Sequence, residues 1–160
     1  MTTVTVRRLQ PDEWQTLRQL RLASLAEAPE AFGSTYESAA SRTEPEWRRW
    51  PTPGVPLAAF VGGEPVGVVG VVPVPGDPAT AHLIAMWVAP AVRGTGVGDE
   101  LITAAVDIAR SWGCRSLFLE VRADNHRAVA LYGRNGFVPS GEAPQFADAL
   151  TMRRRLAVWK

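Results

Sequence analysis

The chain has 160 residues, the length of one ordinary domain, and 46% of them are hydrophobic, which is enough to build a core. Its 17 basic and 16 acidic side chains leave a net charge of +1, so the composition offers no general attraction to nucleic acid or to an anionic membrane. Cys114 is the only cysteine and is accompanied by only two histidines, so we expect no internal disulfide and no structural metal site.

The N-terminal third predicts a strand, a helix and an irregular segment. Residues 4–9 alternate polar and apolar side chains as a strand does, and they lack the basic start and apolar block of a signal peptide. Pro11 and the acidic residues after it predict a helix that ends before Pro29. Residues 30–56, rich in proline, carry one predicted short helix over 44–50, and two interpretations stay open for them: a cover over an acceptor pocket and a packed surface loop. No apolar run approaches the roughly 20 residues that cross a bilayer, so we expect a cytoplasmic protein.

Strands and helices mix in the rest of the chain. Apolar runs separated by turn residues predict a β-hairpin over 57–72, and a cluster of prolines predicts a loop over 73–80. The remaining predicted elements are a strand at 82–88, a helix at 98–112, a strand at 116–121, a helix at 125–135 and strands at 137–138 and 150–156. This order predicts one α/β domain over residues 1–160, with a mixed sheet and helices packed on its faces.

The sharpest chemical signal is the glycine loop, Arg93-Gly94-Thr95-Gly96-Val97-Gly98, between a predicted strand and a predicted helix. Without Cβ atoms, the backbone N–H groups can approach a ligand closely, and the first N–H groups of a helix suit a pyrophosphate. Arg93 adds a positive charge at the rim, whereas Asp99 and Glu100 are expected to face away from a bound phosphate. No lysine follows Gly98, which excludes a Walker loop, and Asp99 in the sixth place excludes a Rossmann turn.

A second motif follows the strand at 116–121. Asn125 stands where a helix N-cap belongs, and Tyr132 lies two turns later on the same helix face. With both motifs in this order, the chain resembles the GNAT superfamily of N-acetyltransferases. The pattern Arg-x-x-Gly-x-Gly is present as Arg93, Gly96 and Gly98, and Asn-x6-Tyr-x3-Gly-Phe is present as Asn125, Tyr132, Gly136 and Phe137.

The resemblance implies an acyl-CoA N-acyltransferase fold, whose mixed sheet is splayed because strands 82–88 and 116–121 part at their C-terminal ends. It implies acetyl-CoA as the cofactor, with pantetheine in the opening beside Asn125 and the pyrophosphate on the glycine loop. Arg127 or Arg134 would reach the 3′-phosphate, although each is equally interpreted as a solvated surface charge. The cofactor-binding residues implied in this way are Met86, Trp87, Val88, Arg93, Gly94, Thr95, Gly96, Val97, Gly98, Asn125, Arg127, Tyr132 and Arg134.

The implied reaction is direct transfer of the acetyl group to a primary amine in a ternary complex, with no acyl-cysteine intermediate. It needs a base for the proton of the amine and an acid for the departing thiolate. Tyr132 is the acid candidate because a phenol keeps its proton at neutral pH. The alternative interpretation is that Tyr132 is an aromatic core residue on the face of the helix. Glu120, His82 and water alone compete as the base. Glu120 lies on a Leu-Glu-Val-Arg strand similar to that of the ribosomal-protein N-terminal acetyltransferases, and a histidine has a suitable intrinsic pKa.

The motifs leave the acceptor open between a small-molecule amine and a protein N-terminus. We expect residues 25–55, 73–80 and 139–149 to shape its pocket. Four acidic side chains are candidates for attracting a cationic amine, with solvated surface charges as the alternative interpretation: Glu27, Glu30, Glu37 and Glu44. Neither nucleic acid nor a membrane is expected as a partner, and exposed tryptophans would favour a homodimer. The alternative to an enzyme is a non-catalytic module that binds and senses acyl-CoA.

Overall fold

The computed structural model describes residues 3–29 and 34–157, and in them the chain forms seven strands, five α-helices and two short 3-10 turns. In chain order these are β1 (Val4–Arg8), a 3-10 turn (Pro11–Glu13), α1 (Trp14–Glu27), α2 (Tyr36–Ala40), α3 (Glu44–Arg49), β2 (Val55–Val61), β3 (Glu64–Val74), β4 (Asp77–Val88), a 3-10 turn (Pro90–Val92), α4 (Val97–Ser111), β5 (Ser116–Arg122), α5 (His126–Arg134), β6 (Val138–Pro139) and β7 (Ala149–Arg155).

The strands form one mixed sheet in the order β1-β2-β3-β4-β5-β7-β6. All neighbouring strands are antiparallel except β4 and β5, which run parallel. This parallel pairing is short: it joins Thr80, Ala81 and His82 to Ser116, Leu117 and Phe118, and then stops. Beyond His82 the two strands separate, so the predicted splayed α/β sheet is confirmed.

A β-bulge in β4 accompanies this separation. Val68 of β3 pairs with Trp87 and Gly70 pairs with Ile84, so two residues of β4 oppose one residue of β3. One of the two, Ala85, has a φ of 57°, which is unusual for a residue with a side chain. A bulge bends its strand and increases the local twist, and here it redirects the C-terminal end of β4 away from β5.

Helices cover the two faces of the sheet and divide the core. On one face, α4 and α5 pack against alternate residues of β5, and the largest side chains buried there include Leu101, Ile102 and Leu119. On the other face, α1 and α3 bury Leu20 and Trp47 against β2, β3 and β4. The long apolar runs of the sequence are therefore explained by a sheet that is covered on both sides.

Two predictions from the sequence are wrong in detail. The predicted loop over 73–80 is a tight turn at residues 75–76, because β3 continues to Val74 and β4 begins at Asp77. Pro73 and Pro78 are tolerated within these strands because they lie on exposed positions beside a register shift. In addition, α2 was not predicted; it begins at Thr35, whose hydroxyl accepts a hydrogen bond from the amide of Ser38.

The segment over 30–56 is packed onto the domain where it is described, whereas residues 30–33 lie outside the described part of the chain. Its short helix α3 is confirmed, and Thr43 and Glu46 form the capping box that begins it. Trp47 of this helix is 1% exposed in the core, and Trp50 remains half-buried at the edge of a cavity described below. The packed interpretation is therefore correct for α3, and a cover over an acceptor pocket remains a prediction for the rest of the segment.

None of the helices in the described part of the chain is long and apolar enough to cross a membrane. The cytoplasmic location and the single domain remain predictions from the sequence.

Replacing Trp47 with Ala should lower the free energy of unfolding by about 3–5 kcal/mol, because the change leaves a large cavity in the core. Trp112→Ala is the matched control, since that side chain is 37% exposed and its loss should cost within about 0.5 kcal/mol. Urea denaturation of both variants measures the difference, and equal losses would contradict the packing of α3.

Candidate active site

A cavity of about 840 Å³ lies where β4 and β5 separate. Its walls come from the C-terminal ends of α1, β4 and β5, the glycine loop, the first turn of α4 and the length of α5. The predicted cofactor residues among its lining are Met86, Trp87, Val88, Arg93, Gly94, Gly96, Gly98, Asn125, Arg127, Tyr132 and Arg134. The structure thus brings together residues that are up to 48 positions apart in the chain. Thr95 and Val97 do not line the cavity: the Thr95 hydroxyl donates to the Val92 carbonyl, and Val97 is buried in the core.

The backbone of the glycine loop faces this cavity with free donors. Gly94 and Gly96 have φ values of 80° and 94°, a conformation that favours glycine, and Gly96 is the N-cap of α4. Within the described part of the chain, no hydrogen bond is donated by the amides of residues 94–99. The amide of Arg93 differs, because it donates to the Pro90 carbonyl at 3.3 Å. The free donors therefore begin one residue later than the sequence predicts.

Gly98 has a different role from the two glycines before it. A Cβ atom at this position would lie 3.0 Å from Cδ2 of Leu131 and 3.3 Å from its Cδ1. Glycine therefore allows α4 to approach α5 closely. The packing of these two helices explains the glycine at position 98 as well as a bound ligand would. A substitution at this position would disturb Leu131 as well as any anion on the loop.

Arg93 is held within the protein. Its Nη2 lies 2.9 Å from Oε1 of Glu27, and its Nε donates to the Val88 carbonyl at 3.0 Å. Glu27 also accepts a hydrogen bond of 3.2 Å from Nε1 of Trp87. These contacts fasten the end of α1 to the end of β4. The predicted charge at the rim is therefore paired, and Glu27, which was predicted to attract an acceptor amine, lines the larger cavity instead.

A second charged cluster joins α4 to α5. The prediction that Asp99 faces away from the ligand cavity is wrong, because Asp99 lines it. Its carboxylate accepts two hydrogen bonds from Arg134, of 3.0 and 3.1 Å, and one of 2.8 Å from Asn135. The hydrogen bonds from Arg134 lower the pKa of Asp99 and compensate its charge beside the loop. No ion pair of the described residues involves Arg127, so its charge remains available to an anion at the mouth of the cavity.

These residues fit a diphosphate-bearing ligand. Unbonded amides at the positive end of a 15-residue helix favour an anion, and the glycines bring the backbone to the cavity surface. The strand end beyond His82 has no partner on the β5 side, so its backbone can pair with an extended chain.

Tyr132 of α5 lies between the larger cavity and a smaller one of about 400 Å³. Both cavities share five lining residues: Met86, Arg122, Asn125, Ala128 and Tyr132. The Tyr132 ring is 6% exposed and makes an edge contact of 5.9 Å with Phe137. Burial raises the pKa of Tyr132, so its phenol keeps its proton.

The Asn125 side chain accepts a hydrogen bond from the Ala128 amide at 3.2 Å, which confirms its place as the N-cap of α5.

Both base candidates line the smaller cavity. His82 on β4 and Glu120 on β5 lie close enough for the carboxylate to act electrostatically on the imidazole. Burial lowers the pKa of His82, and the charge of Glu120 opposes that shift. One oxygen of Glu120 accepts a hydrogen bond from the backbone amide of Gln145.

His82 is held by a row of side chains that crosses three strands. It pairs in register with Phe118, which in turn pairs with Arg153 of β7. The His82 and Phe118 rings are stacked with their centroids 4.2 Å apart and their planes at 9°. The Arg153 guanidinium lies 5.4 Å from the centroid of the Phe118 ring. β4 is an internal strand, so His82 does not lie at an edge of the sheet.

The sequence missed part of the smaller cavity. Arg21 and Trp50 line it from α1 and from the end of α3, with the Arg21 guanidinium 5.4 Å from the Trp50 ring. Burial and the nearby Arg42 lower the pKa of Arg21 to about 10, so it stays protonated at neutral pH. Periodicity alone marked Arg21 as part of a helix, and nothing in the sequence indicated that its side chain is buried.

The regions expected to shape an acceptor pocket contribute unequally to the smaller cavity. Lining residues come from 25–55 and 139–149, but none of those described for the smaller cavity comes from 73–80, which extends the β3–β4 hairpin. Glu37 and Glu44 do not line it, and Glu44 pairs with Arg48 at 3.0 Å. Glu30 lies outside the described residues.

The described residues contain no group of three or more metal-binding side chains. Cys114 is buried, and its thiol donates to the Pro78 carbonyl at 3.7 Å, as expected of a small core residue. Of the tryptophans in the described ranges, only Trp112 is exposed, so the homodimer stays a prediction.

Comparisons with known proteins identify the family of the chain. Residues 14–137 match the model of the acetyltransferase (GNAT) family. The chain is 33% identical over 129 residues to a mycothiol acetyltransferase of Pseudarthrobacter chlorophenolicus, covering 79% of this chain and 38% of that protein. It is 36% identical over 104 residues to the N-alpha-acetyltransferase RimI of Mycobacterium tuberculosis, covering 61% and 64%. The chain therefore spans less than two thirds of the length of these curated relatives.

Among solved structures, yncA of Salmonella typhimurium, a putative acetyltransferase with its cofactor acetyl-CoA, superposes with a TM-score of 0.80 at 16% identity. The match covers 99% of this chain and 96% of that one, and it shows that the two share a fold.

Gly96→Asp should weaken CoA binding by about 100-fold or more, because its carboxylate would point into the anion cradle and like charges cost several kcal/mol. No atom lies within 4 Å of the Cβ position, but the φ of 94° strains any side chain there, so folding of the variant is checked first by circular dichroism. Gly63→Asp is the control, since its φ of 82° imposes a similar strain and its surroundings are open in a remote turn. Calorimetric titration with CoA measures both, and unchanged affinity in folded Gly96→Asp would contradict the cradle.

Proposed function

The chain belongs to the GNAT family of acetyltransferases, and on that premise we propose that it transfers the acetyl group of acetyl-CoA directly to a primary amine in a ternary complex. The observation that carries this proposal is the pair of cavities that meet at Tyr132. A direct transfer requires both substrates to be bound at once with their reacting ends adjacent. A module that only senses acyl-CoA would need the larger cavity alone, so the second cavity favours the enzyme.

The larger cavity is proposed as the site of acetyl-CoA. The amides of residues 94–99 would receive the pyrophosphate, and the unpaired edge of β4 at residues 86–88 would hold the pantetheine together with Asn125. Arg127, which makes no ion pair in the described structure, is the better of the two arginines for the 3′-phosphate, because Arg134 is engaged by Asp99. Bound acetyl-CoA supplies the acetyl group already activated as a thioester.

Tyr132 is proposed as the acid that protonates the departing thiolate. Its support is its place in the wall between the cavities and the burial that keeps its phenol protonated. A buried hydroxyl group aligned before the reaction donates its proton without reorganising water.

His82 is proposed as the base for the amine. It lines the acceptor cavity, and its lowered pKa keeps the imidazole neutral, and so able to accept a proton, at neutral pH. The charged residues that line the same cavity are Glu120, Arg21 and Arg122, and Arg153 lies beyond the Phe118 ring. Glu120 is the competing candidate, but one of its oxygens is already bonded to the Gln145 amide.

The acceptor is proposed to be a small-molecule amine or a protein N-terminus with an apolar group beside the amine. This is supported by the smaller cavity, whose walls include Trp50, Ile84 and Phe146 around a few polar groups. RimI is an N-alpha-acetyltransferase and mycothiol acetyltransferase is named for a small molecule, so both acceptor types occur among the relatives.

Release of free thiol from acetyl-CoA with a panel of amines tests the proposed activity. The panel should contain free amino acids, polyamines and short peptides with a free α-amine. Tyr132→Phe should slow turnover by about 100-fold or more, the usual cost of losing an acid catalyst. Tyr36→Phe is the control, because Tyr36 is exposed and outside both cavities. Binding of acetyl-CoA without turnover on any amine would favour the sensing module.

The pH dependence should follow His82. Because its neutral form is the base, kcat/KM should fall as the pH drops through a value below about 6.5, the ordinary pKa of histidine. His82→Gln should lower kcat/KM by about 100-fold and remove this acidic limb. His126→Gln, which changes an exposed histidine, is the control. An acidic limb that persists in His82→Gln at an undiminished rate would exclude His82.

A further inference from the structure

The loop over residues 140–148, which joins β6 to β7, forms one wall of the smaller cavity. Three of its residues, Gln145, Phe146 and Ala147, line that cavity, and Phe146 is 50% exposed at the mouth. Backbone bonds fix both ends of the loop: the Ser140 amide donates to the Thr151 carbonyl at 3.0 Å, and the Ala123 amide donates to the Asp148 carbonyl at 2.9 Å.

Two side chains from the sheet also hold this loop. Arg153 of β7 forms a pair of hydrogen bonds with the Glu142 carboxylate, at 3.0 and 3.1 Å. At the middle of the loop, the Gln145 backbone amide donates a hydrogen bond to the carboxylate of Glu120, a residue of β5 that lines the same cavity. A carboxylate that accepts from a backbone N–H makes a charge-assisted bond, which is stronger than a neutral one.

We propose that Glu120 is a positioning residue: its carboxylate fastens the loop over 140–148 across the acceptor cavity, and so places Phe146 as the wall that selects the amine. This inference rests on the proposed function for the identity of the cavity, but the fastening itself is independent of catalysis. In this role Glu120 acts as a hydrogen-bond acceptor, and the proton of the amine goes to His82.

The two roles of Glu120 predict opposite behaviour in one conservative variant. Glu120→Gln keeps an acceptor oxygen for the Gln145 amide but cannot take a proton from an amine. Glu120→Ala removes both capacities. Rescue by glutamine therefore identifies positioning, whereas an equal loss in both variants identifies a base.

Amide hydrogen exchange of the full chain tests the fastening without any acceptor. In Glu120→Ala the Gln145 amide should exchange at least about tenfold faster than in the wild type, because one charge-assisted hydrogen bond is lost. In Glu120→Gln most of the protection should return, and in Glu64→Ala, which changes an exposed acid on a remote hairpin, it should not change. Equal exchange in wild type and Glu120→Ala would overturn the proposal, even if the enzyme were active.

Kinetics give the second readout, with the amine of the panel that releases thiol fastest. Glu120→Ala should raise KM for that amine by about tenfold with a smaller effect on kcat, and Glu120→Gln should restore most of the loss. Both variants should keep the acidic limb and move it to lower pH, since the charge that raises the pKa of His82 is gone. A kcat reduced by about 100-fold in Glu120→Gln, with protected Gln145, would make Glu120 the base and overturn the proposal.

A variant of the loop checks the same contact from the other side. Gln145→Pro removes the donor N–H and leaves the Glu120 carboxylate intact. It should raise KM for the amine as Glu120→Ala does. An unchanged KM in this variant would show that the contact does not shape the acceptor cavity.

Discussion

Strands β4 and β5 are hydrogen-bonded at three residue pairs, and both cavities exist because the pairing stops there. Backbone polar groups that lack a partner inside a protein cost free energy, so a sheet that opens in its middle needs something to occupy the gap. The bulge at Ala85 turns the end of β4 away, and the first turn of α4 and the length of α5 then border the opening. An extended ligand with hydrogen-bonding groups along its length satisfies these requirements, as an added strand would.

The anion site in this opening relies on backbone dipoles more than on ionic charge. Arg93 is paired with Glu27, Arg122 with Asp124 and Arg134 with Asp99, so three of the four arginines that line the larger cavity stabilise the protein's own architecture. What faces the cavity is a row of unbonded amides at the start of a helix, which carries the equivalent of about half a positive charge. This explains how a chain with a net charge of +1 can present a site for phosphates.

The sequence predicts those features that depend on neighbouring residues. The element order, the glycine loop before α4 and the N-cap at Asn125 all follow from local patterns, and the structure agrees with them. It does not predict the contacts between distant segments. The sequence leaves Glu27 as either an attraction for an acceptor amine or a solvated charge, and its bonds to Arg93 and Trp87 arise only when α1 folds back onto β4. The proline cluster at 73–80 was interpreted as a loop because periodicity cannot show that two strands extend beyond the body of the sheet.

The parallel stacking of His82 on Phe118 fixes the orientation of the imidazole plane. The lone pair of an imidazole nitrogen lies in the plane of the ring, and here one face of that ring is covered at 4.2 Å. A hydrogen-bond donor such as the acceptor amine must therefore approach an imidazole nitrogen in the plane of the ring, parallel to the Phe118 ring. A 180° turn of the ring about its Cβ–Cγ bond would exchange Nδ1 with Cδ2 and Nε2 with Cε1, and it would have to swing the ring edge towards Phe118, so the stack hinders it. The sheet register thus sets an angle of approach that the identity of residue 82 alone would leave free.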